Sequence, residues 1–241
     1  MKRISLLALT LLLCFGGVQV ALAQPPGGGF GRMMGGMGGG GLMLLGMPEV
    51  QKELKMTPAQ TEKAKAKQDE VRKATQEAFQ KAGGFQALRD MSEEDRTKLF
   101  GSIQDLQKKA LDEILTDPAQ KKRHRQLELQ QAGSGALMMK DVQESLKIND
   151  EQKEKIGEIQ MAQGAAMREV FQSLGVSPQD MTDDDRKKMG EKMAVVRKET
   201  MTKCVAVLTA DQAKQWKEMT GEPFKFPPMR GFGGGGRPPR A

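Results

Sequence analysis

Apolar residues recur along this chain in steps of three and four. Between positions 99 and 114 they fall at Leu99, Ile103, Leu106, Ala110 and Ile114, with charged residues on the other positions. That is the pattern of an amphipathic helix. A thinner stripe precedes it at Ala64, Val71, Ala74, Ala78 and Phe79, and another follows at Ile156, Ile159, Ala166, Val170 and Leu174. The pattern predicts a short helix from Pro48 to about Lys55, a long one from Thr57 to about Lys81 and a turn at Gly83-Gly84. A second long helix is capped by Ser92 with Asp95, and a last one runs from Asp117 to about Gln131. Gly133-Ser134-Gly135 then interrupts the chain and the plan repeats. No stretch reads convincingly as a strand.

The starts of these helices share a short pattern written four times. It reads Met56-Thr57-Pro58-Ala59-Gln60, then Leu115-Thr116-Asp117-Pro118-Ala119-Gln120 with one residue extra, then Ile148-Asn149-Asp150-Glu151-Gln152, then Leu208-Thr209-Ala210-Asp211-Gln212. A small hydroxyl or amide residue followed three positions later by glutamine predicts a capping box. The cap oxygen accepts a first-turn N–H, and the glutamine accepts the cap's own N–H. In the second copy the extra residue makes Asp117 the natural cap, with Pro118 at the first helical position and Gln120 at the third. The residues a staple would pair with the leading apolar ones are Thr61, Lys121, Lys153 and Ala213, of which only Ala213 is apolar. The leading residues are therefore expected to pack on another helix.

Spacing shows a tandem duplication. Met56 and Ile148 lie 92 residues apart, as do Gln120 and Gln212, and Val50-Gln51-x-x-Leu54-Lys55 answers Val142-Gln143-x-x-Leu146-Lys147. Met91-Ser92-Glu93-Glu94-Asp95-Arg96 answers Met181-Thr182-Asp183-Asp184-Asp185-Arg186 at an offset of 90. The repeat implies two similar modules, at 48–132 and 133–226. The expected fold is all-α: two tandem helical hairpins, each with two long antiparallel helices closed by short ones, in a pseudo-symmetric curved bundle.

Four L-T-x-x-Q-like motifs in helix-rich, charge-dense sequence resemble the Spy/CpxP family of periplasmic chaperones and stress proteins, over roughly residues 48–226. Met56 and Ile148 stand where the motif has Leu, and Asn149 where it has Thr. Two motif pairs in one chain look like two family units fused. The resemblance implies an ATP-independent protein that binds unfolded or partly folded clients.

The ends change the picture of composition and charge. Residues 1–23 have Lys2 and Arg3, an apolar run, and Ala21-Leu22-Ala23 before Gln24. These are the parts of a secretory signal peptide, so a periplasmic or otherwise exported location is expected, with no transmembrane anchor after cleavage. Leu13 precedes Cys14 where lipidation needs a small residue. Residues 24–47 are rich in glycine and methionine and read as a flexible tether; residues 227–241 form a second such tail. Of the net charge of +7, Lys2, Arg3, Arg32, Arg230, Arg237 and Arg240 in the ends account for six, leaving the helical part balanced. That argues against a nucleic-acid partner. Homo-oligomerisation is left open.

Candidate chemistry is sparse. The single histidine, His124, lies in the run Lys121-Lys122-Arg123-His124-Arg125, read either as a solvated helix face or as a surface for acidic clients. Asp183-Asp184-Asp185 opens a helix, where negative charge suits the dipole. Neither a metal site, a cofactor nor a catalytic residue is expected. After cleavage Cys204 is the only thiol, on a face with Met193, Val196 and Met201; burial and an intermolecular disulfide are its two readings. Met161, Met167, Met189, Met193 and Met201 are either core filler or an adaptable client surface. Phe79, Phe85, Met167 and Phe171, near the ends of the first long helices, are the candidate client contacts, with end-of-module packing as the competing reading. An alternative function is an envelope stress or metal-responsive regulator using Met33, Met34 and Met37 or His124; another is a structural helical spacer between sticky tails.

Overall fold

The computed structural model describes residues 41–175 and 180–227, apart from the side chains of Phe85, Gln86 and Arg89. The signal-peptide reading, Met33, Met34, Met37 and nearly all of the C-terminal tail lie outside these residues. What is described is all-helical, with no strand among the described residues. The helices are α1 (Gly41–Leu44), α2 (Pro48–Glu53), α3 (Pro58–Lys81), α4 (Gly84–Asp90), α5 (Glu93–Ile114), α6 (Pro118–Ala132), α7 (Lys140–Leu146), α8 (Asp150–Ser173), α9 (Asp183–Ala206) and α10 (Ala210–Thr220), with a 3₁₀ segment, Gly133–Met138, between α6 and α7. None is long and apolar enough to cross a membrane.

Helix starts follow from the local chemistry of the caps. Thr57, Asn149 and Thr209 each form the full capping box with Gln60, Gln152 and Gln212. Thr182 does the same with Asp185, and Ser92 accepts the Asp95 N–H. The second motif departs from expectation. Asp117 is the N-cap, but its carboxylate accepts Ala119 N–H and no box forms with Gln120.

Three apolar clusters fill the interior. α3 packs on α5 and α8 on α9. At the base of the first pair Val50, Leu54, Ala64, Ile114, Leu115 and Leu127 are buried together. Ile148, Ile156, Cys204, Leu208 and Trp216 are buried together at the base of the second. The apolar residues that lead the motifs do pack on other helices: Leu115, Ile148 and Leu208 are buried, and Met56 is partly so. In the α5 stripe Ile103, Ala110 and Ile114 are buried, whereas Leu106 is exposed; Phe100, outside the stripe, is buried as well.

One boundary differs from the sequence reading. Residues 41–47 belong to the core rather than to a tether, since Leu42, Leu44 and Leu45 are buried in the first cluster. Burial of a leucine is worth about 1.5–3 kcal/mol, which outweighs the flexibility of the neighbouring glycines. At Gly133–Gly135, where the sequence left packing or a hinge open, Ser134, Ala136 and Leu137 of the 3₁₀ segment are buried. Gly41 and Gly133 are themselves 92 residues apart.

The two halves interlock. On α6, Leu127 sits in the first cluster and Leu129 in the second. After α10 the chain turns at Gly221, φ 63°, and returns to the first half, where Phe224 and Phe226, their rings edge to face with each other, pack against its core. The Gln130 side chain holds this return: its amide donates to the carbonyls of Thr220 (2.6 Å) and Glu222 (2.8 Å), and its oxygen accepts Phe224 N–H at 2.8 Å. Arg123 bonds the Glu222 carbonyl and pairs with Glu53.

Candidate functional site

The motif glutamines do more than cap. Gln60 and Gln120 face each other, the Gln60 amide donating to Gln120 Oε1 at 2.8 Å and the Gln120 amide donating back at 3.3 Å. Gln60 also donates to the Ile114 carbonyl at 3.0 Å, and Gln120 to that of Leu54 at 2.9 Å. The second half repeats this: Gln152 and Gln212 exchange bonds of 2.7 and 3.1 Å, Gln152 donates to Val207 at 3.0 Å, and Gln212 to Leu146 at 3.0 Å. Each paired glutamine thus ties a helix start to the carbonyl end of another helix, where backbone acceptors lack helical partners.

Two further features repeat with the pair. Gln51 donates to the Leu45 carbonyl and Gln143 to that of Leu137. Lys55 and Lys147 both end short helices with positive φ, 51° and 52°. The matched segments around Val50 and Val142 carried this signal in the sequence. All these groups are engaged with the chain itself, so the twelve motif residues Met56, Thr57, Gln60, Leu115, Asp117, Gln120, Ile148, Asn149, Gln152, Leu208, Thr209 and Gln212 hold the helices together. A depression of about 500 Å³ over the first glutamine pair is open and lined by these same engaged residues with Lys63 and Glu113.

His124 is not on a solvated face. It is buried, and its Nε2–H donates to the Gly41 carbonyl at 2.7 Å. Burial pushes its pKa below the ordinary 6.5, helped by Arg125, while the Gly41 carbonyl and Glu128 pull the other way. A Cβ on Gly41 would lie 2.4 Å from His124 Cε1, so the ring and the α1 backbone meet only because that residue is glycine. Around it Lys121 pairs with Asp112, Arg123 with Glu53, and Arg125 with Glu128 and Asp141. The basic run is therefore largely neutralised by partners. Among the described residues no group of three or more His, Cys, Asp or Glu could hold a metal ion. Cys204 is fully buried, and burial pushes its thiol up. A disulfide to another chain would require the helix to open.

The four candidate client contacts separate. Phe79 is 5% exposed and packs edge to face on Phe100, ring centres 6.2 Å apart. It belongs to a cluster with Leu88 and Ile103. This is the end-of-module packing that the sequence offered as the competing reading for Phe79; α4, which supplies Leu88, was not read as a helix. Phe85 lies on α4, and its side chain is outside those described. Phe171, 92 residues after Phe79, is 44% exposed, and Met167 is half-buried. Counted from the shared helix starts, the position of Phe100 is taken by Gly190, so Phe171 has lost its ring partner. Met161 is 66% exposed and Val195 57%. Between α8 and α9 runs a groove of about 340 Å³ lined by Ile159, Ala162, Ala166, Val196 and Thr200 with Glu158, Glu199 and Lys203.

No protein-family model, curated protein or solved structure matches the chain.

Proposed function

We propose that this chain is an exported, ATP-independent, chaperone-like protein that binds unfolded or partly folded envelope proteins. Its two helical hairpins are read as pseudo-symmetric halves of the Spy/CpxP kind, joined in one curved bundle. The observation that carries the reading is the apolar surface along the α8–α9 pair. Met161, Phe171 and Val195 stand exposed on these helices, and between them, nearer the base, runs a groove lined by Ile159, Ala162, Ala166 and Val196 with Glu158, Glu199 and Lys203. Thioether and small aliphatic side chains can re-pack around different partners, while the glutamine pairs keep the bases fixed. Binding of this kind is weak and reversible, needs no cofactor and performs no chemistry.

The test is light scattering from an aggregating, chemically denatured protein, with and without residues 24–241 and in the absence of ATP. Suppression near an equimolar ratio supports the proposal. Absence of suppression, with circular dichroism showing a folded helical chain, overturns it.

A further inference from the structure

The two long-helix pairs differ in their sulfur. α3 and α5 contain no methionine, whereas α8 and α9 carry five: Met161, Met167, Met189, Met193 and Met201. Counted from the helix starts at Ser92 and Thr182, the last three replace Leu99, Ile103 and Leu111. All three are half-buried. Met189 and Met193 continue, in steps of three and four, through Val196 and Thr200 to the buried Cys204, on the face that α8 covers. Met201 packs against the same cluster as Cys204.

We propose that this seam is a site of methionine sulfoxidation, and that oxidation by a two-electron oxidant such as hydrogen peroxide opens the α8–α9 pair while leaving the α3–α5 pair closed. The sulfur lone pair attacks one peroxide oxygen. The O–O bond breaks as the S–O bond forms, and the departing oxygen takes the remaining proton and leaves as water. The thioether loses two electrons and the peroxide gains them.

The product is polar and chiral where the thioether was apolar, and a half-buried sulfoxide without a donor is costly. The aliphatic side chains of α5 undergo no such reaction. The second pair also lacks the ring pair of the first, and its helices contain Gly157, Gly164 and Gly190 where α3 and α5 contain only Gly101, with open space beside each. The inference stands apart from client binding, since its readout needs no client.

The full chain would be titrated with hydrogen peroxide and followed by peptide mass spectrometry and amide hydrogen exchange. Met43 and Met161, 53% and 66% exposed, are expected to oxidise first and without effect on exchange. Sulfoxide at Met189, Met193 and Met201 should then accompany a loss of about tenfold in amide protection across α8 and α9, with α3 and α5 unchanged. Methionine sulfoxide reductases should restore it. The triple variant Met189→Leu, Met193→Ile, Met201→Leu, which installs the residues of α5, should keep its protection; if it fails to fold, reversal by reductase decides. Protection unchanged after all three are oxidised, an equal loss in the folded variant, or no sulfoxide at these three once Met43 and Met161 are fully converted would each overturn the proposal.

Discussion

The outer end of the α3–α5 pair has a small core of its own, in which Phe79, Leu88, Phe100 and Ile103 are buried together. At the matching end of α8–α9, Phe171 answers Phe79, but Gly190 stands for Phe100 and Met193 for Ile103. Among the described residues the first tip thus has a buried ring pair and the second has none, although Met181 is buried there. At the bases the halves have kept the same glutamine pairs, the same Gln51 and Gln143 bonds and the same left-handed lysines. The bases differ too, since His124 in the first half answers Trp216 in the second. The comparison locates where this molecule can vary its surface without losing its frame.

The largest test of the contrast is truncation of the two paired aromatics. Phe79→Ala should destabilise the chain by about 3–5 kcal/mol, the range for removing a buried aromatic, whereas Phe171→Ala should cost under about 1 kcal/mol. Urea unfolding of both variants measures this, and equal costs would erase the difference between the tips. The bases should respond alike: Gln60→Ala and Gln152→Ala each strip a carbonyl and a facing amide of their partner, at about 1–3 kcal/mol apiece. Unequal midpoint shifts would mean the two glutamine pairs are not equivalent.

A gain is expected from Gly190→Phe. It removes a helix-interior glycine, worth roughly 0.5–1 kcal/mol, and offers Phe171 a ring, worth about 0.5–1.5 kcal/mol more. Open space beside Gly190 leaves room for the side chain. A higher melting temperature with lower amide exchange at residues 167–171 would confirm that the second tip lacks a ring partner for Phe171.

The final contrast is one of pH. His124 and Trp216 are 92 residues apart and both buried, but only the histidine titrates. Because burial lowers its pKa, the unfolded chain takes the proton more readily. Stability is therefore full above 6.5 and falls as the pH drops from there to the folded-state value. His124→Gln should flatten the change in urea midpoint between about pH 7.5 and about pH 5.5, a window above the ordinary carboxylate range. An unchanged slope would assign it elsewhere.

How much of this could be read from the sequence depends on the range of the interaction. Caps were readable because a cap and its partner are three residues apart, and Thr57, Asn149 and Thr209 form their boxes as expected. The role of Gln120 was not, because its partner Gln60 lies across the fold; the equal 60-residue spacing within each motif pair was the available hint. Leu42, Leu44 and Leu45 were hidden by the glycine around them, although carrying the 92-residue offset back from Gly133 leads to Gly41. Burial of His124 follows from a backbone contact with Gly41 that no local pattern encodes.

Under the proposed function the exposed apolar surface of α8–α9 is what meets unfolded chains. Amide hydrogen exchange of residues 24–241, with and without an excess of a permanently unfolded protein, tests it most directly. Added protection concentrated at residues 159–174 and 185–200, with none at 79–103, is the predicted result. Protection shared equally by both tips, or appearing only outside α8 and α9, would contradict it.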